Sequence, residues 1–362
     1  MRPPASRPTS SLLPHFLATL YGLAIVYASL QPFLNWMEPV RGEPYFLFAP
    51  WPPRWVRYDV ILNTVAYLPF GFFVGLIPRQ GSGARRLATA VVTAALLSLA
   101  METLQMFLPT RYASIADWIA NTTGALIGGF LAVLFARSPN ASRWLSSARA
   151  RWFLPGAAGD IGLSLLAIWL AVQVNPGIPL FAAMYDAAAR PLAGPVPTDL
   201  AAALVESAQS AFQLLGAGLF VALLMRERAH VAGAVLLLIG AAAIVKGVAA
   251  LLLLNPAVGE HWLTPGVAIG VLAGLLLLGV AIRLPRSAQV TLATIALLSS
   301  LLATLFVPDV LFARAPLSLF NVSYGQVLNF NGLTHTVLLL WPAMASAFLF
   351  WLAGRPGWGE PE

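Results

Sequence analysis

Runs of about twenty apolar residues, each closed by a short polar or proline-containing stretch, recur along the whole chain. A helix rises about 1.5 Å per residue, so about twenty residues cross a hydrocarbon core about 30 Å thick. The pattern predicts ten such helices: Leu13 to Leu34, Val60 to Ile77, Leu87 to Leu108, Ile115 to Phe135, Ile161 to Val174, Leu200 to Met225, Val231 to Leu254, Pro265 to Ile282, Val290 to Val307 and Leu333 to Leu352. Each outward-running helix meets a proline at its end: Pro32, Pro109, Pro176, Pro256 and Pro308. Proline lacks a backbone donor and clashes backward, so it stops a helix. Gly71-x-x-x-Gly75, Gly124-x-x-x-Gly128 and Gly266-x-x-x-Gly270-x-x-x-Gly274 let helices approach closely, which predicts a bundle.

Composition agrees with an all-α integral membrane protein. Only 10% of residues are charged and 59% are hydrophobic, with a mean hydropathy of +0.79. Soluble domains carry about 25% charged residues, which argues against a water-soluble fold. The net charge of +7 and pI near 10.2 would also suit a nucleic-acid binder, but the basic residues follow topology instead. Fourteen of 21 lie at the N-terminus, in the even-numbered loops and in the tail; six lie in the odd-numbered loops, and Lys246 lies within a helix. The positive-inside rule then puts the N-terminus and the C-terminus in the cytoplasm. The arginines serve orientation and contact with membrane lipids, worth about 1 kcal/mol each near anionic headgroups. Nucleic acid is not an expected partner. The first apolar run, behind Arg2 and Arg7, is too long for a signal peptide and reads as an uncleaved helix. The chain has no cysteine, so disulfides and thiolate metal sites are not available.

The fourth loop gathers Arg143, Trp144, Arg149, Arg151 and Trp152, a composition suited to lying on a membrane surface. It divides the chain into a four-helix domain (1–137), a basic interfacial linker (138–155) and a six-helix domain (156–362). The long first, fifth and ninth loops place function on the extracytoplasmic side. In the first, Trp36, Trp51 and Trp55 among several prolines suit an interfacial belt.

Polar residues of the first four helices converge at one membrane depth. Asp59 and Asn63 are four apart on the second helix, Glu102 and Gln105 three apart near the end of the third, and Asp117 and Asn121 four apart at the start of the fourth, behind Arg111. Residues three and four apart share a helix face. Ionisable groups in hydrocarbon cost a few kcal/mol and face a protein interior or a cavity, so the seven are ligand-binding candidates. Each also has a structural reading. Glu102 can pair with Arg111. Asp59 suits the positive end of a helix dipole. Ser114-x-x-Asp117 reads as a capping box. Asn63, Gln105 and Asn121 can serve as interhelical hydrogen bonders.

The segments Tyr58-Asp-Val-Ile-Leu-Asn63-Thr-Val-Ala-Tyr-Leu-Pro69-Phe70-Gly71, Met101-Glu102-Thr-Leu-Gln105 and Arg111-Tyr-Ala-Ser-Ile-Ala-Asp117-Trp-Ile-Ala-Asn121-Thr-Thr-Gly124-Ala-Leu-Ile-Gly128 resemble the VanZ pattern over about residues 13 to 137. Two positions depart from it: Ser114 stands where many relatives carry an acid, and Asn63 where histidine is frequent, so a proton-transfer role built on that histidine does not carry over. The resemblance implies a multi-pass protein of the cell inner membrane, acting in the cell envelope and linked to glycopeptide resistance, specifically to teicoplanin. A lipid-linked cell-wall or glycan intermediate is the implied ligand class.

The six-helix part offers a second polar cluster. Glu206, Gln209 and Gln213 form a stripe on one helix, and Lys246 lies deep in the next, predicting a Glu206–Lys246 pair or a solute path. Asn321, Tyr324, Gln326, Asn329 and Asn331 lead as a loop into His335 on the last helix. Phe330-Asn331-Gly-Leu-Thr-His335 is faintly similar to Tyr58-Asp59-Val-Ile-Leu-Asn63, as a degenerate repeat would be. No metal-ligand spacing occurs and no cofactor is called for. Three functions stay open: recognition of an envelope ligand, a lipid- or glycan-modifying enzyme with Glu102 or Asp117 as base and Arg111 as anion partner, and a small-solute transporter.

Overall fold

The computed structural model describes residues 11–31, 33–39, 42, 44–50, 57–78, 82–181, 200–254, 262–306, 320 and 324–355. Among them are eleven α-helices and no β-strand: α1 (Leu13–Leu30), α2 (Arg57–Leu76), α3 (Gly83–Gln105), α4 (Ile115–Arg137), α5 (Pro139–Trp152), α6 (Gly156–Val172), α7 (Leu200–Leu224), α8 (Val231–Leu253), α9 (Pro265–Ala281), α10 (Arg286–Phe306) and α11 (Tyr324–Ala353). Among the described residues, seven helices are long and apolar enough to cross a membrane. They lie within α1, α2, α3, α4, α7, α11 and the stretch Arg228–Leu253 that contains α8. α6 and α9 are apolar but 17 residues long, and α10 overlaps the ninth predicted run. The chain is a multi-pass membrane protein. Its outward side chains fit that reading, since Leu251 of α8 is 87% exposed and Leu276 of α9 75%; apolar surface this extensive is unfavourable in water and stable against lipid.

Two compact units form, Met1–Arg149 and Ala150–Glu362. In the first, α2 packs most extensively on α4 through the predicted glycines. A Cβ on Gly124 would overlap the carbonyl oxygen of Thr64, one on Gly128 that of Leu68, and one on Gly71 that of Ala125. Backbone thus meets backbone across this pair, which only glycine permits. Tyr67, Phe70 and Val74 of α2 close the core against Ala18 and Ile25 of α1, Ala94 of α3 and Ala125 of α4. The predicted linker is itself the helix α5, with no buried residue and no acid in its first turn.

The second unit is built around α7, whose Leu214, Leu219, Phe220, Leu223 and Leu224 are essentially inaccessible. α9 approaches α7 through Gly266, Gly270 and Gly274. An aromatic series runs from Phe181 through Trp169 and Trp341 to Phe220 and Phe348, with neighbouring ring centroids 5.3 to 6.2 Å apart. The Trp341 indole donates to the carbonyl of Leu165 at 2.8 Å, satisfying its one polar atom. α11 starts at Tyr324, so residues 324–332, predicted as the end of a loop, are helical. Tyr324, Gln326 and Asn329 are in that helix, Asn321 falls outside the described residues, and so do Trp51 and Trp55 of the first loop.

Candidate functional site

α1 and α3 end where α2 and α4 begin, so four unsatisfied helix termini meet at one end of the first unit. The cluster predicted from the sequence fills that end. α1 finishes with open carbonyls that need donors. Arg111 supplies two of these, its Nη2 reaching Ala28 O at 2.6 Å and Gln31 O at 3.1 Å, and Gln105 Nε2 reaches Ser29 O at 3.1 Å. A guanidinium at a helix C-terminus also opposes the negative end of the dipole. Burial lowers the Arg111 pKa from its ordinary value, and the charge of Glu102 works against that shift. Arg111 does not form the predicted pair with Glu102, because the carbonyls of α1 occupy it.

Glu102 sits one turn inside α3, which ends at Gln105 and not at Leu108. It is 3% exposed, and its Oε2 accepts the backbone N–H of Ser114 at 2.9 Å. Ser114 is the N-cap of α4, and its hydroxyl accepts from Ala116 N. In a capping box the residue three further on would take the Ser114 N–H. That residue, Asp117, does not: Glu102 has replaced it from another helix. Asp117 Oδ1 instead accepts from Asn63 Nδ2 at 2.7 Å, joining α4 to α2. Asp59, one turn before Asn63, lies within the electrostatic reach of Asp117.

Deeper along the same helices, Asn121 Nδ2 donates to Ser98 Oγ at 2.9 Å, with Asn121 5% and Ser98 0% exposed. The Tyr67 hydroxyl, one turn beyond Asn63 on α2, lies near Ser98 and Glu102. Tyr67 Oη and Asn121 Oδ1 are buried without a hydrogen-bond partner. Each such orphan costs about 1–3 kcal/mol, so a pair beside a buried carboxylate calls for an explanation. Tyr67 and Ser98 were not singled out from the sequence; the signal available was Tyr67 at the Asn63 spacing of four. Tyr45 closes over α3, its hydroxyl 2.7 Å from Thr103 Oγ1.

In the second unit the predicted Glu206–Lys246 pair does not form. Lys246, 1% exposed, donates to the carbonyls of Asn175 at 2.8 Å and Ile178 at 2.9 Å. Glu206 accepts from the hydroxyl of Thr264, the N-cap of α9. The two sit on separate structures because residues 173–181 fold back after α6 and bring open carbonyls to Lys246. That irregular segment is buried, as non-helical backbone at membrane depth must be. Asn175 holds it, donating from Nδ2 to Asn331 Oδ1 and Thr334 Oγ1, both at 2.8 Å, and accepting Gly177 N at 3.0 Å. Phe181 closes the segment at φ 59°, against Trp169. Gln213 Nε2 reaches Leu297 O at 3.5 Å, and His335 is half-buried one turn past Asn331. Asp160, 1% exposed at the start of α6, was not singled out from the sequence. No group of three or more His, Asp or Glu that would hold a metal occurs among the described residues.

Residues 10–136 match the family model described as VanZ/LLP1. No curated protein and no solved structure matches the chain. The matched stretch spans α1 to α4 and contains every residue of the first cluster, so this multi-pass membrane protein carries a VanZ-family domain as its first unit.

Proposed function

We propose that the VanZ-like unit recognises the polar group of a lipid-linked envelope intermediate or of a glycopeptide, at the extracytoplasmic end of its bundle. The observation that carries this reading is the buried Glu102 carboxylate beside two orphaned polar atoms, Tyr67 Oη and Asn121 Oδ1. A carboxylate and an amide oxygen accept, while a phenol both donates and accepts. Sugar hydroxyls and N-acyl amides present the matching mixture, and binding one would relieve the cost of the orphans. Arg111 is committed to carbonyls of α1, which favours recognition over a catalytic scheme that needs it as an anion partner.

The setting proposed for this activity is a bacterial inner membrane crossed ten times, with both termini cytoplasmic and a role in teicoplanin resistance. The arginine distribution supports that orientation. An alkaline phosphatase fused after Arg149 should be inactive; an active fusion reverses the topology. The recognition reading is tested with Glu102→Gln and Asp117→Asn, each verified as folded and abundant. Loss of teicoplanin resistance is expected, and full resistance in both variants would sink the proposal.

A further inference from the structure

α5 follows α4, which is long and apolar enough to cross a membrane, with Ser138 alone between them. Its other end is fastened to the end of α7, a second such helix. The Arg226 backbone N–H donates to Trp152 O at 3.0 Å, Arg226 Nη1 to Ala150 O at 3.2 Å, and the Leu154 N–H to Leu224 O at 2.9 Å. The 14 residues of α5 rise about 21 Å, short of a hydrocarbon core about 30 Å thick, and include Arg143, Arg149 and Arg151. α5 therefore does not cross the membrane, both of its ends lie at one membrane surface, and the helix runs along that surface. Ala141, Trp144, Leu145, Ala148 and Trp152 fall on one face at helical spacing, with Arg143 and Ser146 opposite. Trp144 is 66% and Leu145 49% exposed, and no residue of α5 is buried. Trp152, at the end of the stripe, packs against the apolar core of the second unit, so the stripe turns toward the bundle and not toward water.

We propose that the apolar stripe of α5 inserts into the boundary between headgroups and acyl chains of a phospholipid bilayer, making α5 an interfacial anchor fastened to the end of α7. A positive-inside charge bias accounts for arginines in this stretch, but not for an apolar stripe at helical spacing among them. Trp144 and Leu145, side by side on an otherwise uncovered helix, form a surface that is unfavourable in water. At a membrane boundary the same surface is favourable, because the indole ring is apolar in its body and its N–H reaches the headgroups. A helix lying in this plane sinks its apolar face about 5–10 Å into the boundary, a depth that leaves Arg143 and Ser146 on the opposite face in water. Lipid is the occupant, in preference to a second copy or a soluble partner, because the two held ends keep the stripe at the level of the bilayer surface. The bonds to Arg226 and Leu224 make α5 a fixed element and not a loose connection. This role is independent of the recognition proposed for the first cluster.

The chain contains no cysteine, so single substitutions place one nitroxide spin label each. Ala141→Cys and Ala148→Cys report from the stripe while leaving Trp144 and Leu145 in place, and Ser146→Cys and Ala150→Cys report from the opposite face. The full-length protein is held in nanodiscs of phosphatidylethanolamine and phosphatidylglycerol, and collisions of each label with oxygen, which concentrates in lipid, are compared with those of a water-soluble nickel chelate. Oxygen collisions should outweigh those of the chelate at Ala141 and Ala148, and the order should reverse at Ser146 and Ala150. Trp144→Ser with Leu145→Ser should move the label at Ala148 from the lipid pattern to the water pattern. A water pattern at both stripe positions overturns the proposal. Protection of the stripe from both reagents also overturns it, because protein, a second copy included, would then cover that face.

Discussion

Glu102 of α3 accepts the backbone N–H of Ser114, the N-cap of α4, at 2.9 Å. One buried carboxylate thereby caps a neighbouring helix and releases Asp117 to bind Asn63. Glu102→Leu should orphan the Ser114 N–H and destabilise the protein by about 1–3 kcal/mol. Glu102→Gln retains an acceptor of the same shape and should cost less than about 1 kcal/mol while removing ligand recognition. Thermal unfolding in detergent, read beside the resistance assay, separates the two roles; equal destabilisation by both variants would contradict the cap.

Arg111 spans the end of α1 through Ala28 O and Gln31 O. Arg111→Gln should loosen that end, raising hydrogen exchange of the Gln31 and Phe33 amides, which bond to Tyr27 O and Leu30 O, by about tenfold. Exchange unchanged at these amides would show that α1 does not depend on the arginine.

Gly128 meets the Leu68 carbonyl with no room for a side chain. Gly128→Ala should push α2 from α4 and destabilise the first unit by about 1–3 kcal/mol. Gly279→Ala, at a glycine with nothing within 4 Å of the added Cβ, is the matched control and should be neutral or slightly stabilising. Equal melting temperatures for the two variants would refute the packing argument.

Lys246→Met sets two opposed effects against each other. It removes a buried charge whose desolvation costs several kcal/mol, and it orphans the Asn175 and Ile178 carbonyls at about 1–3 kcal/mol each. The net change in stability should be below about 2 kcal/mol. The local effect should be larger, with exchange of the Gly177 and Leu180 amides rising about tenfold as residues 173–181 loosen. A global loss above about 4 kcal/mol, without that local signature, would disagree with the assignment.

The apolar helices were legible in the sequence because hydropathy and length act locally, whereas α5 and the first turns of α11, with polar residues, were read as linker and loop. Apolar runs must be helical in lipid, and proline, serine and threonine mark their ends without reference to the rest of the chain. Close helix approach was legible for the same reason, since Gly71, Gly124 and Gly270 remove side chains wherever they stand, but that the seams join α2 to α4 and α7 to α9 came only from the fold. The spacing of Asp59, Asn63, Glu102, Asp117 and Asn121 also placed the cluster at one end of the first unit. Which of these groups bond to which was settled only by tertiary structure. The sequence suggested Arg111 for Glu102, Asp117 for Ser114 and Glu206 for Lys246, pairing opposite charges or near neighbours. Folding instead matched each group to the nearest unsatisfied backbone: Arg111 to the end of α1, Glu102 to the start of α4, and Lys246 to the turn after α6. In a bundle buried in lipid, an open helix terminus or a bent segment is as demanding a partner as a charge, and its location depends on how the helices are packed.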